Sequence, residues 1–263
     1  MRIKRFYVFA LLVMLVMPSV AEGTSKKEFY RNLSRRMSYN RQVYSYLTDE
    51  EFANFREVRT TGISPGRLYR SVSPVQARSR NTYADNAAKI AGVRTFINLA
   101  DTDNGMKRHD NFKGSYYSTQ KVICLNMNLK FRSERFQQGL AQAVRFMAAN
   151  DPPYLIHCYW GKDRTGLVCA VIECFMGATA NEVVNDYMLS FYNIFGIEKG
   201  TGNYDFIVKN EIEPFLASML EVKSIYGVNL AEAAERYLRR IGVSVREIEI
   251  LRKKLSSPLR PKS

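Results

Sequence analysis

The chain has 263 residues, 46% of them apolar, with 15 Phe and 16 Tyr, which is enough to bury one sizeable core. A charged fraction of only 24% excludes wholesale disorder. The 39 Lys and Arg against 25 Asp and Glu give a formal charge of +14, so the chain should meet anions: phosphates, nucleic acid or an anionic membrane surface. Two His exclude a His-rich metal centre, and four Cys in so long a chain do not make a disulfide scaffold.

Residues 1–21 read as an export signal. Arg2, Lys4 and Arg5 form a positive start, Tyr7 to Met17 an apolar run, and Pro18-Ser19-Val20-Ala21 a small-residue cleavage site after Ala21. The run is well short of the roughly 20 apolar residues of a membrane span. Cleavage removes three basic residues, leaves the mature chain strongly basic, and places it outside the cytoplasm, secreted or periplasmic.

Residues 22–51 form a basic arm in which aromatics interleave Lys26, Lys27, Arg31, Arg35, Arg36 and Arg41. It reads as a solvated segment that packs its aromatics on the domain, with peripheral contact to an anionic membrane as the functional alternative. Thr48-Asp49-Glu50-Glu51 is a capping box opening a short helix. Leu68 to Ser71 follows as a short strand. A helix over 82–91, ended by Gly92, leads into the β-branched run Arg94 to Leu99. A second strand covers Lys121 to Leu125. Phe136, Leu140, Val144 and Met147 fall at helical spacing over 134–149, and Pro152-Pro153 separates that helix from the buried strand Tyr154 to His157. An apolar helix spans 167–176 and ends at Gly177. Capping boxes at Thr179 and Ser244 and the remaining apolar spacing predict helices over 180–193, 204–220, 230–240 and 245–255. Strands alternating with helices give an α/β fold: a single domain with a mostly parallel central sheet, flanking helices and a helical C-terminal portion. Residues 256–263 are a polar tail.

The informative stretch is His157-Cys158-Tyr159-Trp160-Gly161-Lys162-Asp163-Arg164-Thr165-Gly166, between a buried strand and a buried helix. Free amide N–H groups and a helix dipole converge at such turns, where anions bind. A nucleotide-binding Walker loop is excluded, because Asp163 follows Lys162 and Ile156 stands where its first Gly is needed. Five residues separate Cys158 from Arg164, so the turn can wrap one tetrahedral oxyanion. Arg164 grips two oxygens with its planar fork, and the same positive environment stabilises a Cys158 thiolate. Cys124, Cys169 and Cys174 read as structural.

The loop resembles the Cys-(five residues)-Arg signature of the protein tyrosine phosphatase superfamily, and more narrowly the HC-x-x-GKDRTG loop of bacterial tyrosine and dual-specificity phosphatases. The resemblance extends over roughly 52–255, through Asn54-Phe55-Arg56, Leu68-Tyr69-Arg70-Ser71 and Val93 to Asp101. It implies a phosphatase domain over 52–255 that hydrolyses phosphomonoesters through a phosphocysteine on Cys158, with Arg164 and the loop amides holding phosphate oxygens. It further implies that Thr165 stabilises the departing thiolate, that His157 orients the loop, that Gly161 and Gly166 belong to the phosphate-binding turn, and that no metal or other cofactor is needed.

The general acid is open. The stretch 126–135, where the superfamily usually carries an Asp, has none and offers only Glu134. Asp163 within the loop and Asp101 after the first core strand are the candidates, with Asp103 third. Lys162 adds a cation to the cradle, and Tyr159 and Trp160 either wall the pocket or pack beneath the loop. A basic chain with Lys162 favours substrates bearing several negative charges: a phosphorylated protein, a phosphoinositide or an inositol phosphate, and no nucleic acid. Two alternatives stand: a catalytically impaired phosphate-binding module, and a Cys/Arg sulfur-handling enzyme of rhodanese or arsenate-reductase type.

Overall fold

The structure is a computed structural model and describes residues 25–76 and 78–257. The expected export segment therefore lies outside the described residues. Five strands form one sheet: β1 (Arg56–Glu57), β2 (Leu68–Ser71), β3 (Thr95–Asn98), β4 (Lys121–Cys124) and β5 (Tyr154–His157). Their order is β1-β2-β5-β3-β4. Only β1 runs antiparallel, against β2; the other pairs are parallel. This is the mostly parallel α/β sheet expected from the alternating pattern.

The register aligns the strand ends. Ser71 and Asn98 both pair with His157, and Asn98 also pairs with Cys124. The carboxyl ends of four parallel strands thus share one edge, the position at which parallel α/β sheets bind ligands.

Side-chain alternation divides the core between two faces. Phe96 and Leu155 pack on one face, beneath α3 (Asn81–Ile90) through Ala84, Ala87 and Ala88. Ile97, Tyr154 and Ile156 pack on the other, against α5 (Glu134–Ala149), α6 (Asp163–Met176) and the later helices. In α6 every residue from Thr165 to Met176 is buried. A helix apolar on all sides belongs at the centre of a domain, and α10 (Leu230–Arg240) packs on it from outside. α7 (Ala180–Phe195) and α11 (Val245–Ser256) complete that layer, each opened by its capping box.

Four segments differ from expectation. The basic arm contributes a helix, α1 (Lys26–Arg36), capped by Ser25, and its Phe29 and Leu33 enter the main core. Burying two such side chains contributes about 1.5–3 kcal/mol each. The expected helix over 204–220 is interrupted: α8 (Gly202–Ile207) and α9 (Glu213–Leu220) flank a π turn at Val208–Ile212. Finally, α6 begins at Asp163, four residues before the apolar run, so Arg164 and Thr165 lie on its first turn. The short helix α2 (Asp49–Phe52) has the capping box expected at Thr48. An unexpected α4 (Asp103–Lys107), capped by Thr102, follows β3.

Candidate active site

The signature residues form one loop from the end of β5 into the first turn of α6. Cys158 is buried at its start, with 3% of its surface exposed. Gly161 has φ of +62°, and a Cβ placed there would stand 2.1 Å from the Ser71 carbonyl oxygen. Only glycine allows the loop to lie this close to the end of β2. Gly166 plays a comparable part: a Cβ there would meet the Tyr187 ring at 2.6 Å.

The loop carbonyls are held by donors from outside the loop. The Ser73 amide N–H donates to Tyr159 O at 3.1 Å. Asn54 Nδ2 donates to Trp160 O at 3.1 Å and Gly161 O at 3.3 Å. Arg70 Nη2 donates to Gly161 O at 3.0 Å. Among the described residues, the amide N–H groups of 159–162 meet no acceptor. Unpaired amides at a helix N-terminus can cradle an anion.

Arg164 is anchored along one edge. Its Nη1 donates to Leu99 O at 3.2 Å, just past β3, and to Met127 O at 3.1 Å. Its Nε and Nη2 have no protein acceptor among the described residues, which leaves a two-donor edge for an oxyanion. Thr165 Oγ1 is buried without a hydrogen-bond partner. An unpaired buried hydroxyl on the loop's own helix calls for a polar neighbour.

His157 is fully buried beneath the loop, its Nε2 3.1 Å from Tyr117 Oη. Burial holds its ring at about 4, well below the usual value, despite the opposing pull of Asp101. The ring is therefore neutral at physiological pH and shares one hydrogen bond with the Tyr117 hydroxyl through Nε2. Asn98 donates to the same Tyr117 hydroxyl at 3.2 Å and to Asp101 Oδ2 at 3.0 Å. His109 contacts Asp101 Oδ1 at 3.2 Å. One polar chain thus runs from His157 to Asp101, and Asp101 is buried at the β3 end of the rim. Asp163 is on the loop itself and retains 34% side-chain exposure. Asp103 opens α4, where its carboxyl faces Cys124.

Lys162 departs from expectation. Only 8% of it is exposed, and its ammonium bonds to Asp163 and sits 4.4 Å from the centre of the Phe191 ring, with Tyr30 and Phe195 at 5.9 Å. The aromatic faces draw the cation into the pocket between α1 and α7, where its partner is a carboxylate of the loop and not open solvent. Trp160 packs 5.6 Å from Tyr39 and 5.1 Å from Tyr159, ring centre to ring centre. The aromatics therefore build a rim beside the loop.

The other thiols are inert by environment. Burial raises Cys124 and Cys169 to about 12 and pushes Cys174 up as well. No cluster of His, Cys, Asp and Glu able to hold a metal occurs among the described residues.

Behind the loop lies a buried group whose role the linear pattern did not reveal. Asp186 pairs with Arg56 Nε at 2.8 Å and with Arg70 Nη1. Burial alone would push Asp186 up, but the two guanidiniums outweigh it and hold the carboxyl at about 2. Asn54, Arg56 and Arg70 stand in the two segments that carry the resemblance ahead of the loop, but nothing in the linear pattern joins them to Asp186.

A family model described as the tyrosine phosphatase family matches residues 47–257. The chain belongs to the tyrosine phosphatase family. It is similar to a tyrosine-protein phosphatase of Nostoc commune, with 28% identity over 67% of this chain and 71% of that one. Among solved structures it is similar to the core catalytic domain of the PP-IP phosphatase SIW14 from S. cerevisiae in complex with citrate. That match has 20% identity and a TM-score of 0.38, and covers 60% of this chain and 85% of that one. The chain is therefore a phosphatase of the tyrosine phosphatase type, and the Cys158–Arg164 loop lies inside the matched segment.

Proposed function

We propose that the protein hydrolyses phosphomonoesters through a phosphocysteine on Cys158. The observation that carries this reading is the loop itself: unpaired amides and the free edge of Arg164 converge above a buried cysteine. The Cys158 thiolate attacks phosphorus, and the P–O bond to the leaving group breaks. Arg164 and the amides hold the three non-bridging oxygens as charge shifts among them. The leaving oxygen takes a proton from an Asp carboxyl. Water then attacks phosphorus, the P–S bond breaks, and the water proton returns to the carboxylate. Thr165 Oγ1 has no other partner and donates to the sulfur as it leaves. Neutral His157 holds the loop base through Tyr117. Asp163, half-buried on the loop and paired with Lys162, is the first choice of acid; Asp101, held by Asn98 and His109, is the second.

The preferred substrate carries more than one negative charge, such as a phosphoinositide or inositol phosphate headgroup or an acidic phosphopeptide. The excess of Lys and Arg that remains after loss of the first 21 residues supports this, as does Arg78, exposed on the rim with its guanidinium 4.5 Å from the Tyr39 ring centre. The enzyme acts outside the cytoplasm after cleavage near Ala21, and exposed Lys27, Arg31 and Arg35 on α1 suit it to an anionic membrane surface. An aryl phosphate assay tests the chemistry. Turnover should be blocked by vanadate, unaffected by EDTA and absent in Cys158→Ser; turnover persisting in that variant refutes the mechanism. Vanadate binding without turnover by the wild-type enzyme would identify a phosphate-binding module instead. Comparing phosphotyrosine peptide, soluble inositol phosphate and phosphoinositide vesicles ranks the substrates.

A further inference from the structure

We infer that Asn54, Arg56, Arg70 and Asp186 are positioning residues for the reaction: a buried clamp that sets the direction of the loop's peptide groups from behind. The inference rests on the anion-cradle reading above and assigns the part of the molecule that makes the cradle.

The argument begins with the planar trans peptide. In each unit the C=O and the following N–H point in opposite directions. A donor that fixes a carbonyl on one side therefore fixes the next amide on the other. The clamp holds the carbonyls of Trp160 and Gly161, and the Ser73 amide N–H, outside the clamp, holds that of Tyr159. The amides fixed in return belong to Trp160, Gly161 and Lys162, three consecutive groups of the cradle. The next carbonyl, Lys162 O, takes the Gly166 amide at 2.9 Å and the edge of Arg70 at 3.5 Å, which orients the Asp163 amide in the same way.

The clamp is itself fixed. Asn54 is fully buried, and its backbone φ is +48°, a left-handed conformation that Asn tolerates better than most residues. Its amide orientation follows from chemistry. Arg56 Nη1 lies 2.7 Å from Asn54 Oδ1, and a guanidinium only donates, so that atom is the oxygen and Nδ2 faces the loop. Asn193 donates to the same oxygen at 3.2 Å. Asp186 holds both arginines, and Ser190 Oγ receives Asn54, Arg56 and Arg70 at 3.1–3.2 Å. Burying two guanidiniums and a carboxylate is costly unless every partner is in place. Here the assembly ends on the carbonyls of the loop that must turn its amides inward.

The experiment uses the full-length protein and four measurements: equilibrium vanadate binding, the pH dependence of Cys158 alkylation by iodoacetamide read by mass spectrometry, aryl phosphate kinetics, and thermal melting. Asn54→Gly removes the carbonyl donor while suiting the left-handed backbone. Arg70→Lys keeps the buried charge opposite Asp186 and removes the fork. Both variants should bind vanadate at least about tenfold more weakly, and the Cys158 alkylation midpoint should move to higher pH, because fewer amides face the thiolate. Their kcat should fall further than KM changes. Folded variants that match wild type in vanadate affinity and alkylation midpoint overturn the inference. If Asn54→Gly loses cooperative melting, Arg70→Lys decides. A wild-type protein that binds no vanadate refutes the cradle and the proposed function, a result distinguishable from failure of the clamp alone.

Discussion

Gly161→Ala tests how closely the loop is packed on the sheet. The new methyl carbon would lie 2.1 Å from Ser71 O, 2.4 Å from Ser71 C and 2.9 Å from Val72 N. These are backbone atoms of a strand end hydrogen-bonded to β5, so they cannot rotate aside. An unstrained carbon–oxygen contact is about 3.3 Å, so the loop must recede by roughly 1.2 Å. A displacement near 1 Å at a reacting centre costs about a hundredfold in rate. Alanine at φ of +62° adds roughly 1–2 kcal/mol of backbone strain, and the forced shift raises the destabilisation to about 3 kcal/mol. For a domain of this size that lowers Tm by about 6–12 °C. The assay is aryl phosphate turnover beside thermal melting. Gly177→Ala is the matched control: its φ of +103° is also left-handed, but a Cβ there meets nothing within 4 Å. It should lose stability and keep its turnover. If Gly161→Ala retains kcat/KM within about threefold of wild type, the loop does not seat against β2 as described and the reasoning fails.

Three further outcomes follow from the ionisable groups. Glu173 is fully buried on α6, where burial and then Asp186 push its carboxyl far up, so it is neutral in the folded protein. Folded wild type thus binds a proton that the unfolded chain releases near 4.3, and stability falls as pH rises above that value. Glu173→Gln should remove this slope, so its advantage in Tm over wild type grows from pH 4 to pH 8; parallel Tm curves would contradict it. His157 has the opposite sign. Held at about 4 by burial, its neutral ring contributes stability that is present above about 6.5 and lost as pH falls toward 4, on the order of 3 kcal/mol in all. His157→Gln should flatten that part of the Tm–pH curve, and an unchanged curve would show that the ring is not buried neutral. In the pH–rate profile, the true general acid's Asn variant should lose the alkaline limb, which Asp163→Asn and Asp101→Asn compare directly. Retention of that limb in Asp163→Asn and its loss in Asp101→Asn would transfer the role to Asp101.

Much of the fold was legible because local signals were strong. The runs Tyr154–His157 and Thr95–Asn98 are fully buried strands and read as such from their apolar, β-branched character. The helix Glu134–Ala149 matches its periodicity residue for residue. Capping boxes at Thr48, Thr179 and Ser244 mark true helix starts. Cys158 and Arg164 were legible because one loop of fixed length carries both. The clamp was not, because Asn54, Arg70 and Asp186 lie far apart in sequence and meet only when β2, α7 and the loop assemble. The direction of Lys162 was equally hidden: whether a loop lysine faces ligand or aromatics depends on Tyr30 and Phe191, from helices far apart in sequence. Helix α1 was missed because eight of its eleven residues are polar, and only Phe29, Tyr30 and Leu33 carry its attachment.

That attachment separates two boundaries usually taken as one. The family match begins at residue 47, but the folding unit begins about twenty residues earlier. A protein expressed from residue 47 would lose Phe29 and Leu33 from the core, Tyr30 from beside Lys162, Tyr39 from Trp160, and the Tyr44 hydroxyl from Ile194 O at 3.1 Å. The stretch ahead of the matched segment is thus no dispensable linker, and a fragment trimmed to the shared domain would misreport this enzyme's solubility and activity.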